Sequence, residues 1–444
     1  MLIFPHIKLL RLFEGRFAKT TIGVLGLNIA EAGFGFLTAI VLVRLMGPSG
    51  YGVYSYAIAL AGVFTIVGLL GQDKYIVRNM TKLLALGETK ALPPLVLGVF
   101  SRVILLCFFI GIGAAIAIFI NRNQIPEEKL LALWIAISVM ILVAIMRIYI
   151  GLFQGLQKVI TALYPDKLIR PLSFLLLAFV FGFISDEGLS APLAVFANAI
   201  AVCIGLVVIS RLWVQSRPYS ISLKLSREYF ISGWRPAFPF ALLAGVGTIN
   251  SNIDVIMLGA YVSDADIGIY RIASRVATLI GFSLVAAHAV VGPQVSILYT
   301  KGDFGQLQSV VCKAALIASV IALPCFIAFV FAGYWVLTLF GSEFARGISA
   351  LRILSIGQLF NALAGSAGLM LMMTGHEKKA AHSLFFSTVL NVFLNFSLIP
   401  IYGAIGAAYA TGAALVTVNL IYCFYVWRYL KINPTILGCL FKKH

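Results

Sequence analysis

"LVRLMGPSGYGVYSY", residues Leu42 to Tyr56, is a short Gly- and Pro-containing turn between two long apolar runs. Pro48 has no amide hydrogen to give an upstream carbonyl, and Gly47, Gly50 and Gly52 let a backbone reverse in few residues. A run of about 20 apolar residues is enough to cross a hydrocarbon core about 30 Å thick. A Gly-Pro break between two such runs places the freed backbone groups in water, at the membrane surface. The segment therefore reads as the outer hairpin between a first and a second transmembrane helix.

The same unit recurs. Gly52-Val53-Tyr54 matches Gly268-Ile269-Tyr270 at an offset of 216 residues, in "IMLGAYVSDADIGIYRIAS". Gly155-Leu-Gln-Lys158 matches Gly375-His-Glu-Lys378 at 220, and "GLSAPLA" from Gly188 matches "GAIGAAYA" from Gly403 at 215. Each match is weak alone, but three in the same order at nearly one offset indicate a duplicated unit. Twelve spans are expected, near 21–43, 51–71, 95–120, 130–153, 168–185, 190–210, 236–260, 268–292, 314–339, 347–373, 383–401 and 404–427. They divide into an N-terminal lobe, residues 1–215, and a C-terminal lobe, residues 216–444. Six helices per lobe is an even number, so both lobes keep one orientation and repeat about an axis along the membrane normal.

Composition agrees. Of 444 residues, 61% are hydrophobic and 11% charged, against about 25% charged in soluble proteins, and the mean hydropathy is +1.02. The net charge of +17 would suggest nucleic acid in a soluble chain, but its distribution gives another reading. With the N-terminus inside, the inner segments hold 23 Lys and Arg and the outer loops four: Arg44, Arg122, Lys129 and Arg346. That asymmetry predicts cytoplasmic termini, and no nucleic-acid partner is expected. The first apolar run follows Lys8, Arg11, Arg16 and Lys19 and has no small-residue cleavage site, which favours a retained helix over a signal peptide. The six cysteines show no C-x-x-C pair and the five histidines no ligand spacing, so neither a disulfide framework nor a metal site is expected.

"VRLMGPSGYGVYSYAIAL", "NIDVIMLGAYVSDADIGIYRIASRV" and "GHEKKAAHSLFFSTVLNVFLNFSLIPIYGAIGAAYATGAA" resemble, in order and over nearly the whole chain, the polysaccharide or O-antigen flippases. These belong to the multidrug/oligosaccharidyl-lipid/polysaccharide exporter superfamily. The resemblance implies an all-α integral membrane protein with a MATE-like fold of two six-helix lobes. It implies transport of an undecaprenyl-diphosphate-linked oligosaccharide, an O-antigen or other surface polysaccharide repeat unit, to the periplasmic or outer leaflet of a bacterial or archaeal inner membrane. Its partners would be that lipid-linked oligosaccharide, the membrane, and the polymerase and glycosyltransferases of the same pathway. No cofactor is implied.

Charged residues inside spans are functional candidates because they are costly there unless paired. Six are basic (Arg102, Arg147, Arg271, Arg275, Lys313 and Arg352), and two, Glu31 and Asp254, are acidic. Arg271 and Arg275 are four apart and share a helix face. Two guanidinium groups so placed call for an anion between them, and their fork geometry matches phosphate oxygens. Arg275, Arg352, Arg271, Arg147 and Arg102 are therefore candidates for a diphosphate-binding cavity, with snorkelling to the inner surface the alternative for Lys313 and Arg102. Asn28, Asn250, Gln358 and Asn361 are candidates for the glycan. Glu31 and Asp254 either pair with the arginines or carry a coupling ion. The amide pairs, Asn391 with Asn395 among them, would otherwise be helix–helix hydrogen bonds, and His288 is expected to be a satisfied buried histidine.

A cation- or proton-coupled drug or metabolite antiporter of the same fold is the alternative, but cationic substrates call for acids and buried basic residues outnumber acids here. An enzyme is not expected. The first outer turn has no paired acids, no outer loop is large, no histidine is followed by an acid at four or five residues, and no Gly-rich phosphate loop appears.

Overall fold

The structure, a computed structural model, describes residues 16–185, 188–218 and 227–440. Lys8, Arg11, Lys224, Lys442 and Lys443, part of the basic asymmetry, lie outside the described residues. All regular elements among those described are helical. The first, Arg16–Leu69, is continuous except at Gly47, whose φ of 69° and ψ of −176° break it into two helices. Pro48 follows, where a helix start tolerates a missing amide hydrogen. The turn expected between the first two spans is therefore one residue wide, tighter than the pattern suggests.

Among the described residues nine helices are long and apolar enough to cross a membrane, and two bent pairs, 228–261 and 342–373, bring the number to eleven. Dividing the first helix at Gly47 gives twelve, in the order expected. Several starts lie upstream of the hydropathy limits because caps set them. Ser263 accepts a hydrogen bond from the Asp266 amide and starts Asp264–Thr278. Asp303 accepts from the Gln306 amide and starts Phe304–Phe331. A polar cap and first turn precede the apolar run, so hydropathy places these starts four to ten residues late.

The chain forms two compact units, residues 1–45 with 60–245, and residues 46–59 with 246–444. This grouping differs from a division at 215/216 in two segments, 46–59 and 216–245. In the first unit, Glu127–Gly155 packs along Ala191–Ser216 and Leu92–Asn121, and Gly151 lies against the Asp73 carbonyl. In the second, Ala404–Leu430 packs between Glu377–Tyr402 and Ile348–Leu363.

The second unit also holds the two copies of the opening motif against each other. A β-carbon on Gly52 would overlap the Asp264 carbonyl and lie 3.1 Å from the Gly268 nitrogen. A β-carbon on Gly268 would overlap the Pro48 carbonyl and lie 3.1 Å from the Gly52 nitrogen. Pro48 and Asp264 are themselves 216 residues apart, so the contact is reciprocal, as in an interface about a twofold axis. Gly188 and Gly403, the third matched pair, both have positive φ, 81° and 55°. In the second pair the positive φ falls on Gly375 and on Gln157, not on Gly155.

Candidate functional site: a basic cavity in the second unit

A cavity of about 440 Å³ is lined by Asn250, Ser251, Asp254, Arg271, Ser274, Arg275, Thr278, Leu354, Gln358 and Thr411, with Ala277 and Leu415. The helix Asp264–Thr278 supplies Arg271, Ser274, Arg275 and Thr278, the i, i+3, i+4, i+7 stripe of one face. The opposite face of that helix, with Ile269, Ile272, Ala273 and Val276, is buried. This amphipathic division makes the 264–278 helix the one that can bring two arginines into a span.

Asp254 enters from the neighbouring helix Trp234–Tyr261 and is 4% exposed. Its Oδ2 accepts the Tyr270 hydroxyl at 2.6 Å and its Oδ1 accepts the Val255 amide at 2.8 Å. Thr411 Oγ1 lies 3.5 Å from the same hydroxyl. The carboxylate is thus occupied by neutral donors. Among the described residues neither Arg271 nor Arg275 makes an ion pair; Arg271 Nη1 donates to the Ser251 carbonyl at 3.4 Å. Two guanidinium groups with donors to spare stand near one carboxylate held by neutral donors, an arrangement whose chemistry suits an anionic group.

Amides complete the wall. Gln358 points toward Gly281, where a β-carbon would lie 2.9 Å from its Oε1. Asn361, one turn on, is outside the lining and accepts from Asn419 Nδ2 at 3.1 Å. Asn250 lines the cavity and accepts from Asn391 Nδ2 at 3.2 Å; Asn391 in turn accepts from Asn395 at 3.0 Å. That ladder is the helix–helix use of amides.

The remaining candidates lie elsewhere. Arg352 is on the exposed side of its helix and its Nε donates to the Val330 carbonyl at 3.0 Å. It is two residues before Leu354, about 200° around the helix from the cavity face. Arg147 is exposed and outside the lining. Arg102 is fully buried and neither snorkels nor faces the cavity. Its Nε and Nη2 donate to Gln72 Oε1 at 3.1 and 2.9 Å, its Nη1 donates to the Tyr229 and Phe230 carbonyls, and it sits over the Tyr75 ring. In the first unit Asn28 and Glu31 meet, but through Lys167, whose Nζ lies 2.7 Å from Asn28 Oδ1 and 2.6 Å from Glu31 Oε2. Two further expectations are corrected: the His288 Nε2 is buried without a hydrogen-bond partner, and Cys312 is disulfide-bonded.

Sequence reasoning missed Ser251, Ser274, Thr278 and Thr411. The first three were legible as neighbours on the faces of Asn250 and of the arginine pair. Thr411 was not, since it reaches the cavity only through packing of a distant helix.

A family model described as polysaccharide biosynthesis protein matches residues 17–298, and one described as MatE matches 244–397. The chain is 24% identical over 422 residues to a probable low-salt glycan biosynthesis flippase, Agl15, of Haloferax volcanii, covering 94% of this chain and 84% of that one. Its fold matches an inward-facing multidrug resistance MATE family transporter of the MOP superfamily with a TM-score of 0.71 at 14% identity, over 95% of this chain and 100% of the other. It matches the lipid II flippase MurJ with a TM-score of 0.69 at 15% identity, over 92% and 87%. The helical spans, the duplicated turn and a family match over more than half of the chain lead to one statement: this is a multi-pass membrane protein of MATE-like fold that belongs to the polysaccharide biosynthesis protein family.

Proposed function

We propose that the protein is a transporter, not an enzyme, that flips a lipid-linked oligosaccharide from the cytoplasmic to the outer leaflet. The substrate of this reading is an undecaprenyl-diphosphate-linked repeat unit of a surface polysaccharide such as an O-antigen. Residues 1–215 and 216–444 act as two six-helix lobes, both termini are cytoplasmic, and alternating access exposes the site to each side in turn. Arg271 and Arg275 hold the diphosphate, while Gln358, Asn250 and the hydroxyls of Ser274, Thr278 and Thr411 bond glycan hydroxyls. The observation that carries the reading is an arginine couple that, among the described residues, makes no ion pair and faces a cavity where the one described lining carboxylate, Asp254, is already hydrogen-bonded. The same observation weighs against the cation-coupled antiporter, which needs Asp254 free for a cation. The name of the Haloferax relative agrees with the substrate class.

The test is complementation of a strain whose surface glycan depends on this protein, at matched membrane abundance. Arg275→Ala and the double variant Arg271→Ala with Arg275→Ala are expected to lose surface glycan and accumulate inner-leaflet intermediate. Arg352→Ala, outside the cavity, is expected to match wild type. Full glycan in the double variant would remove the anion site from the proposal.

A further inference from the structure

A second concavity, of about 490 Å³, lies against the same Trp234–Tyr261 helix. Its lining is Val246, Ile249, Met257, Phe385, Thr388, Val389, Val392, Phe393 and Phe396, and all but Thr388 are apolar. Phe385, Val389, Phe393 and Phe396 recur along one side of Glu377–Tyr402 and are each more than half exposed. On the 234–261 helix the groove uses 246, 249 and 257 while the basic cavity uses 250, 251 and 254. Those sets sit on adjacent faces about 100° apart. Between them runs the Asn250–Asn391 hydrogen bond: Asn250 lines the cavity, and Thr388, Val389 and Val392 beside Asn391 line the groove. One helix thus carries a wet basic face and a dry aromatic face, separated by a polar seam.

A ligand matching both faces joins an anionic head to an unsaturated, methyl-branched chain. We propose that the groove seats the head-proximal isoprene units of a polyprenyl chain whose diphosphate occupies the basic cavity. This inference rests on the flippase reading above. From Phe385 to Phe396 the aromatic row extends about 16 Å along the helix, the length of a few isoprene units. The rest of the chain stays in lipid. Rings spaced along a shallow, open concavity, beside the basic cavity on the same helix, suit a branched chain that is anchored by its head.

The test uses the full-length protein in phosphatidylglycerol nanodiscs and a polyprenyl diphosphate carrying a diazirine in an early isoprene unit, with labelled residues mapped by mass spectrometry. Label is expected to concentrate in 246–257 and 385–396 and to fall on addition of unlabelled undecaprenyl diphosphate, but not of undecaprenol. Val389→Trp, which fills the groove from an exposed position, is expected to weaken undecaprenyl diphosphate binding at least about tenfold. It should leave inorganic diphosphate binding unchanged, as should Leu323→Trp on another lipid-facing helix. Label spread over other exposed apolar residues, such as Phe331 and Trp335, would overturn the groove. So would full affinity in Val389→Trp. If instead Arg271→Ala with Arg275→Ala leaves diphosphate binding and groove labelling intact, the head site fails and not the groove.

Discussion

Three arginines in apolar runs carry one signal in the sequence and three meanings in the structure. Arg275 faces a cavity, Arg352 bonds a neighbouring helix carbonyl from an exposed side, and Arg102 is a buried clamp. What separates them is partners far away in the chain: Gln72 is 30 residues from Arg102, and Tyr229 and Phe230 are 127 and 128 away. Spacing along one helix revealed the 271/275 pair because both residues share a face, but no periodicity announces a partner beyond the helix. The clamp makes its own prediction. Gln72 also donates to the Gly233 carbonyl at 3.3 Å, so Arg102 and Gln72 together tie Gln72–Ala85 to the short helix Arg227–Ser232. Arg102→Met keeps the bulk but leaves the buried Gln72 Oε1 and the half-buried Tyr229 and Phe230 carbonyls short of a donor, with a cost of about 1–3 kcal/mol for the buried one. The expected outcome is a clear loss of thermal stability in detergent and lower membrane abundance, where Arg352→Ala changes neither. A stable Arg102→Met protein would mean that water or lipid headgroups satisfy those carbonyls.

At the level of elements, the helices themselves were legible because their apolar lengths are unambiguous. Their starts were less so because caps such as Ser263 and Asp303 lie outside the hydropathy signal. The repeated Gly-aliphatic-Tyr was legible as a pattern, whereas its use was not: the two glycines exist to touch each other. Neither position tolerates a β-carbon, since each would overlap a backbone carbonyl that no rotamer can move. Gly52→Val is therefore expected to force the two backbones apart and to lower abundance and glycan export together. Gly62→Ala, ten residues along the same helix with open space around its β-carbon, is expected to be neutral or slightly stabilising through helix propensity. Pulse-chase abundance of the two variants checks this, and a normally abundant, active Gly52→Val protein would show that the contact is not needed for folding or transport. Tyr56 packed over Gly259 belongs to the same contact region, so Gly259→Ala should share the defect in milder form, because an aromatic ring can tilt where a carbonyl cannot.

For the whole molecule, the direction of the proposed transport depends on orientation, and the distribution of basic residues predicts it. The excess of 23 Lys and Arg in one set of segments over four in the other predicts a cytoplasmic 301 turn and an outer 342–347 turn. Both turns carry exposed residues, Lys301 and Ser342, so the arrangement is testable in intact cells. In a background without native cysteines, Ser342→Cys is expected to react with a membrane-impermeant maleimide before lysis. Lys301→Cys is expected to react only after the membrane is opened. The contrast matters more than either rate, because both sites are exposed and differ only in side. Reversed labelling would place the termini outside and invert the transport direction while leaving the fold and the basic cavity as they are. Equal labelling of both before lysis would mean that the single span between them, Phe304–Phe331, does not cross.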